Sequence, residues 1–177
     1  VGRQPRNVIA ADIDADGDND LAVANYMSGT ITILRNNGNG TFASAVEIGG
    51  VNSPWTVCAA DLDGNGTLDL ATESENSGYI AILYGDGHGG FAPVVYLDLG
   101  YLSAPHSVVA ADLDGDGDND LAATCAGYGS IAVLLNNGGG AFADRVEYGT
   151  GDGPATICVA DCDGDGDNDL VVANAGL

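Results

Sequence analysis

The stretch DIDADGDND at 12–20 returns as DLDGNGTLD at 61–69, DLDGDGDND at 112–120 and DCDGDGDND at 161–169. The copies start 49, 51 and 49 residues apart, so the chain is a repeat of about 50 residues. Each copy is preceded by a proline-led apolar stretch, at 5–11, 54–60, 105–111 and 154–160, and followed by a second at 21–24, 70–72, 121–124 and 170–173. A glycine-bearing turn then leads to a third apolar run at 30–34, 79–84 and 130–135. A glycine-rich turn ending in Phe42, Phe91 or Phe142 follows, and a last short run such as 94–97 closes the unit.

These runs are short, rich in Val, Ile, Thr and Tyr, and punctuated by Gly, Asn, Asp and Pro, which is the pattern of strands and turns. No ten-residue window has helical periodicity. NNGNGT at 36–41 and NNGGGA at 136–141 supply the residues that tolerate positive φ in tight hairpins. The expected fold is all-β, a β-propeller-like repeat of four-stranded antiparallel blades. One such sheet cannot bury both its faces, so the core should lie between stacked blades. The chain reads as a single repeat domain over 1–177, with blades at 5–53, 54–104 and 105–153 and a half blade at 154–177. About three and a half blades are not expected to close a ring by this chain alone.

The formal charge is −22, from 26 acidic residues against Arg3, Arg6, Arg35 and Arg145. Such a surface repels nucleic acid and anionic lipid and attracts cations. Outside the four loops the acids are only Glu47, Glu73, Glu75, Asp86, Asp98, Asp144, Glu147 and Asp152. Carboxylates crowded as they are inside the loops repel one another unless positive charge lies among them. No apolar run approaches the ~20 residues of a membrane-spanning helix, so membrane insertion is not expected.

Calcium takes six to eight oxygen ligands, and a flexible loop of closely spaced carboxylates suits it. The ligand positions expected are 1, 3, 5, 7 and 9 of each loop. These are Asp12, Asp14, Asp16, Asp18 and Asp20; Asp61, Asp63, Asn65, Thr67 and Asp69; Asp112, Asp114, Asp116, Asp118 and Asp120; and Asp161, Asp163, Asp165, Asp167 and Asp169. Position 7 varies, as expected if only its carbonyl is used. Gly17, Gly66, Gly117 and Gly166 at position 6 allow the sharp turn. An EF-hand would close the site with Glu at position 12, where this chain has Val23, Thr72, Ala123 and Val172. The closing carboxylate should therefore be position 9, at the entry to a strand. About four calcium ions, one per loop, are expected.

The pattern DxDxDGxxDL between two strands, with the NNGxGxF hairpin beyond it, resembles the FG-GAP and VCBS repeat family. That family is related to the calcium-bearing blades of integrin α-subunit propellers. The resemblance spans essentially the whole chain. It implies calcium in the loop between the first two strands of each blade, an extracellular or cell-surface setting, and a structural or adhesive role rather than catalysis. The partners it suggests are other copies of the chain or additional blades, forming a ring or a fibre, with glycans or cell-surface proteins as further candidates.

A lectin-like, carbohydrate-binding propeller is the alternative, with Trp55, Tyr26, Tyr101 and Tyr128 as stacking candidates; packing between blades is the simpler reading of these aromatics. His88 and His106 stand at turn and inter-blade positions. No GxSxG elbow, HExxH or phosphate loop is present. Cys58 and Cys158 share the repeat position of Ile9 and Val109, which suggests small buried hydrophobes. Pairing of Cys125 with Cys158 or Cys162 is left open. Glycosylation sequons stand at Asn39 and Asn65.

Overall fold

The computed structural model describes residues 1–176. Every regular element in it is a strand. The first sheet contains β1 (Pro5–Ala11), β2 (Asp20–Asn25), β3 (Thr30–Leu34) and β4 (Val46–Ile48). The second contains β5 (Cys58–Ala60), β6 (Asp69–Ser74), β7 (Tyr79–Leu83) and β8 (Val95–Asp98). The third contains β9 (Pro105–Ala111), β10 (Asp120–Cys125), β11 (Ser130–Leu134) and β12 (Val146–Gly149). β13 (Pro154–Ala160) and β14 (Asp169–Asn174) form a two-stranded fourth sheet. Within each sheet the strands follow chain order and pair antiparallel, and the sheets do not close into a ring.

The core lies between sheets. Alternate residues of β3, Ile31 and Ile33, join Ala22, Ala24 and Ile13 in packing against Val57, Leu70, Ala81 and Leu83 of the second sheet. Ile80, Ile82 and Leu62 of the second sheet meet Val108, Leu121, Ala132 and Leu134 of the third in the same way. A smaller cluster of Ala122, Ile131, Val133 and Ile157 joins the third sheet to the fourth. Because β6 and β10 are covered on both faces, every residue in them is buried, the polar Asp69, Thr72, Glu73 and Ser74 of β6 included.

The register shifts near the leading proline of three first strands, at Pro5/Asn7 and Pro154/Thr156 and, in the third sheet, across Ala123/Cys125 opposite Pro105. The second sheet differs from the sequence expectation, because β5 begins only at Cys58 instead of at Pro54. There the buried Glu73 carboxylate accepts the backbone N–H groups of Trp55 (2.8 Å) and Thr56 (2.6 Å), and a side chain replaces the ladder. In the third sheet Thr124 does the equivalent work, its hydroxyl accepting the N–H groups of His106 and Ser107.

One cysteine expectation is corrected. Cys58 is partly buried against the core, but Cys158, at the same repeat position, is exposed, because no further sheet covers that face of β13. Cys125 is a buried free thiol, and all four cysteines are unpaired. Burial pushes the Cys58 thiol up to about 12 and that of Cys125 to about 11, so neither is a ready nucleophile.

Candidate metal centres

Each aspartate-rich loop joins the first two strands of its sheet, and all four fold alike. The glycine at position 6 lies in the left-handed region, with φ of +96°, +84°, +97° and +97° at Gly17, Gly66, Gly117 and Gly166. That turn brings the N–H of position 6 back to Oδ2 of position 1, at 3.0, 2.8, 3.0 and 3.1 Å in the four loops. The position-5 oxygen accepts the N–H of position 7, at 2.9 Å from Asp18 to Asp16 and 2.7 Å from Thr67 to Asn65. Asp116 and Asp165 repeat this arrangement with Asp118 and Asp167.

Position 9 anchors the loop. Oδ2 of Asp20, Asp69, Asp120 and Asp169 accepts the N–H of Ile13, Leu62, Leu113 and Cys162, at position 2 of each loop. In the three complete sheets Oδ1 accepts the N–H that leaves the third strand, from Asn36, Gly85 and Asn136, each at 2.7 Å. Asp20, Asp69 and Asp120 are fully buried, tied at once to the loop and to the next hairpin.

The result is that positions 1, 3 and 9 converge in every loop. One carboxylate oxygen from each of Asp12, Asp14 and Asp20 lies within 4.8 Å of the others, and so do those of Asp61, Asp63 and Asp69; Asp112, Asp114 and Asp120; and Asp161, Asp163 and Asp169. The carboxylates of Asp16, Asp18, Asp116, Asp118, Asp165 and Asp167 lie outside these triads, and in the second loop Asn65 Oδ1 accepts from the Thr67 N–H and hydroxyl. At position 5 the side chain is occupied in the turn to position 7.

Three of the triads show the electrostatics of crowded, partly buried carboxylates. The Asp14 carboxyl is pushed above its ordinary range by burial first, then by Asp20 and Asp16, with Arg35 opposing. Burial also raises Asp69 and Asp120 against the hydrogen bonds they accept, and neighbouring loop aspartates add to the shift. One atom tests the fit directly. In the first loop the Asp16 N–H turns to Asp12, and Asp14 Oδ1 is left sealed from solvent with no hydrogen-bond partner. A carboxylate oxygen in that state is free to hold a cation. An all-oxygen donor set of this kind suits calcium better than zinc or copper.

At the opposite end of the first strands the structure places a second group that spacing alone did not assemble. Glu75 accepts from Trp55 Nε1 at 2.8 Å and contacts His106 Nε2 at 3.3 Å, while Arg6 lies over the rings of Trp55 and Tyr26. Tyr26 and Trp55 thus pack between sheets, as their simpler reading held. Tyr101 and Tyr128 are exposed. His88 lies in a hairpin, where its carbonyl accepts from Arg35. The signal for the group was the shared repeat position of Arg6, Trp55 and His106.

Fold and loops together define a β-propeller repeat module with an aspartate triad in each repeat. Three matches to the FG-GAP-like repeat model, over residues 12–72, 70–123 and 116–172, cover most of the sequence, and the chain belongs to that family. Among solved structures it is similar to an Agrocybe aegerita lectin studied for specific recognition of non-reducing terminal N-acetylglucosamine. That match has 26% identity and a TM-score of 0.69, and covers 96% of this chain and 46% of the lectin. BBS1N, solved in complex with ARL6DN, matches at 18% identity and TM-score 0.65 over 94% of this chain and 50% of its own. The V. cholerae biofilm matrix protein Bap1 matches at 19% identity and TM-score 0.54 over 96% and 28%. The chain thus spans half or less of these structures. A search of curated proteins by sequence finds no match. The family and the lectin neighbour point to a non-catalytic module, and among the described residues no helix is long and apolar enough to cross a membrane.

Proposed function

We propose that this chain is a calcium-stapled segment of an extracellular β-propeller, with a structural or adhesive role, and that one ion sits in each of the four loops. The observation that carries this reading is the fourfold convergence of positions 1, 3 and 9, with an oxygen of Asp14 shielded and unpartnered. The three carboxylates supply the charge, and position 5 and the carbonyl of position 7 supply further oxygens. That gives calcium the high coordination number it favours. Four divalent ions carry +8 and would bring the formal charge of −22 to −14, which removes much of the repulsion inside each loop. Millimolar calcium outside cells keeps even modest sites filled, so the ions act as staples and not as switches. Partners under this reading are further blades or copies, and cell-surface proteins or glycans.

The test is thermal unfolding with calcium and with excess chelator, beside a calorimetric titration of the stripped protein. A melting temperature lowered by ten degrees or more on chelation, and a stoichiometry near four, are expected. Coincident melting curves would refute the staple.

A lectin-like reading has one observation in its favour. Tyr79 and Tyr96 meet edge to face at 5.9 Å, and with Gly50, Asn52, Ser74 and Ser77 they line a cleft of about 350 Å³ between the second sheet and the segment that leads into it. Aromatic rings beside amide and hydroxyl groups suit a sugar. Binding to a glycan array that is lost in Tyr96→Ala would support this second reading.

A further inference from the structure

The tripeptide Asn-Gly-Thr occurs twice, at 39–41 in the hairpin between β3 and β4 and at 65–67 in the second aspartate-rich loop. Both copies fold the same way. Asn39 Oδ1 accepts the Thr41 N–H at 3.1 Å and the Thr41 hydroxyl at 2.7 Å. Asn65 Oδ1 accepts the N–H and the hydroxyl of Thr67. Asn39, Gly40, Asn65 and Gly66 are all exposed, so exposure does not separate the two. They differ at one atom. The Gly66 N–H is held by Asp61 Oδ2 at 2.8 Å, whereas the Gly40 N–H has no hydrogen-bond partner among the described residues. Nothing lies within 4 Å of where a Cβ on Gly40 would stand.

An asparagine followed by glycine is open to attack by its own main chain, because glycine puts no side chain in the way. Once the glycine nitrogen gives up its proton to solvent, it forms a bond to the asparagine Cγ. The Cγ–Nδ2 bond then breaks and the amide leaves as ammonia, closing a succinimide ring. Water opens that ring at either carbonyl, giving aspartate or isoaspartate. Two local features set the rate. Donors on Oδ1 stabilise the negative charge that grows there as the bond forms, and Thr41 supplies two of them. An N–H bonded to a carboxylate is hard to deprotonate, and this holds Gly66 back. The other two Asn-Gly pairs lack both advantages. The Gly38 and Gly138 N–H groups donate to Asn36 Oδ1 and Asn136 Oδ1, each at 3.1 Å, while the Asn37 and Asn137 amides donate instead of accepting.

We propose that Asn39 is a site of spontaneous deamidation, set apart from the other Asn-Gly pairs by the free N–H of Gly40. The only co-reactant is water. The conversion adds a negative charge to a chain already at −22 and erases the Asn39 sequon. Its isoaspartate product also inserts a methylene into the main chain of the hairpin, inside the bridge between Asn36 and Phe42. That hairpin is tied to the first aspartate-rich loop, since Asp20 Oδ1 accepts the Asn36 N–H. Asn65, in an identical tripeptide, is protected by the fold of its loop.

The test is ageing of the full chain in mildly alkaline buffer with calcium, then digestion and mass spectrometry. Fragmentation resolves Asn37 from Asn39 and separates isoaspartate from aspartate. Asn39 is expected to convert roughly ten- to hundredfold faster than Asn65, the range spanned by one hydrogen bond to a charged acceptor. In urea, with the chain unfolded, the two tripeptides should react at similar rates. Asn39→Gln should abolish the mass gain of the hairpin peptide; a gain that persists there belongs to Asn37 and overturns the proposal. Equal rates at Asn39 and Asn65 in the folded chain, or first conversion at Asn37, Asn65 or Asn137, overturn it too. So does a folded chain in which every Asn-Gly pair stays intact while the unfolded chain deamidates. A rate at Asn65 that stays low in urea also counts against it, since sequence context and not the held N–H would then set the difference.

Discussion

Ala15 stands at the fourth position of the first aspartate-rich loop, where the other loops have Gly64, Gly115 and Gly164. It adopts φ of +59°, while those glycines lie at +74° to +82°. A Cβ in the left-handed region costs about 1–2 kcal/mol, and glycine returns part of that through the greater freedom of its unfolded chain. Ala15→Gly is therefore expected to stabilise the protein by about 0.5–1 kcal/mol, read as a rise in the urea midpoint with an unchanged slope. Glu73 is the other residue out of its ordinary state. Burial pushes its carboxyl up to about 7, against the hydrogen bonds it accepts from Thr56 and Trp55. Its folded form holds the proton more tightly than the unfolded form does. Its contribution is thus complete below about pH 4.5 and is lost as the pH rises to about 7, at a slope near 1.4 kcal/mol per pH unit. Glu73→Gln should remove that slope, so the stability of the variant relative to wild type grows by roughly 3 kcal/mol from pH 4.5 to pH 7. Denaturant titrations across that range in excess calcium would check it; parallel curves would contradict it.

At the scale of the loop and its strands, two aspartates of one triad do different work. Asp69 accepts the N–H groups of Leu62 and Gly85, and without it two donors at a buried junction lose their acceptor. Asp69→Ala should cost about 2–4 kcal/mol even in chelator, since each orphaned group costs about 1–3 kcal/mol. Asp63 mainly contributes charge. Asp63→Asn keeps an oxygen for the Asn65 N–H, so it should lose stability in calcium but gain slightly in chelator, where it relieves repulsion from Asp61 and Asp69. Unfolding of both variants in both conditions separates scaffold from metal ligand. Much of this element was legible in the sequence, because the spacing of 1, 3, 6 and 9 states both the carboxylates that converge and the turn that brings them together. What the spacing could not state was the structural duty of position 9, which depends on an N–H sixteen residues later. The shortening of β5 was equally hidden. It follows from a carboxylate at Glu73, where the other repeats have Ala24, Thr124 and Ala173. Cys158 was misplaced for a different reason: repeat equivalence predicts burial only where a neighbouring sheet exists to provide it.

Across the whole molecule, stability in a stack of sheets is a sum over its junctions, and these junctions are unequal. The first two bury large side chains from both partners, including Ile31, Ile33 and Leu70 in one and Ile80, Ile82 and Leu121 in the other. The third rests on Ala122, Ile131, Val133 and Ile157, and β14 has a neighbour on one edge only. Local opening is set by buried apolar contact and by exposed backbone hydrogen bonds, so β13 and β14 should open at much lower free energy than β6 and β10. Hydrogen exchange read by mass spectrometry is expected to rank protection in that order, with β6 and β10 exchanging only through global unfolding. Ile157→Ala removes the one large side chain that β13 sends into the third junction. It should abolish protection in β13 and β14 while leaving the main melting transition within about 1 kcal/mol, whereas Leu121→Ala should lower the main transition by 2–5 kcal/mol. Uniform loss of protection along the chain in Ile157→Ala would mean that the four sheets unfold as one unit, and that the ends are not the separable elements their packing implies.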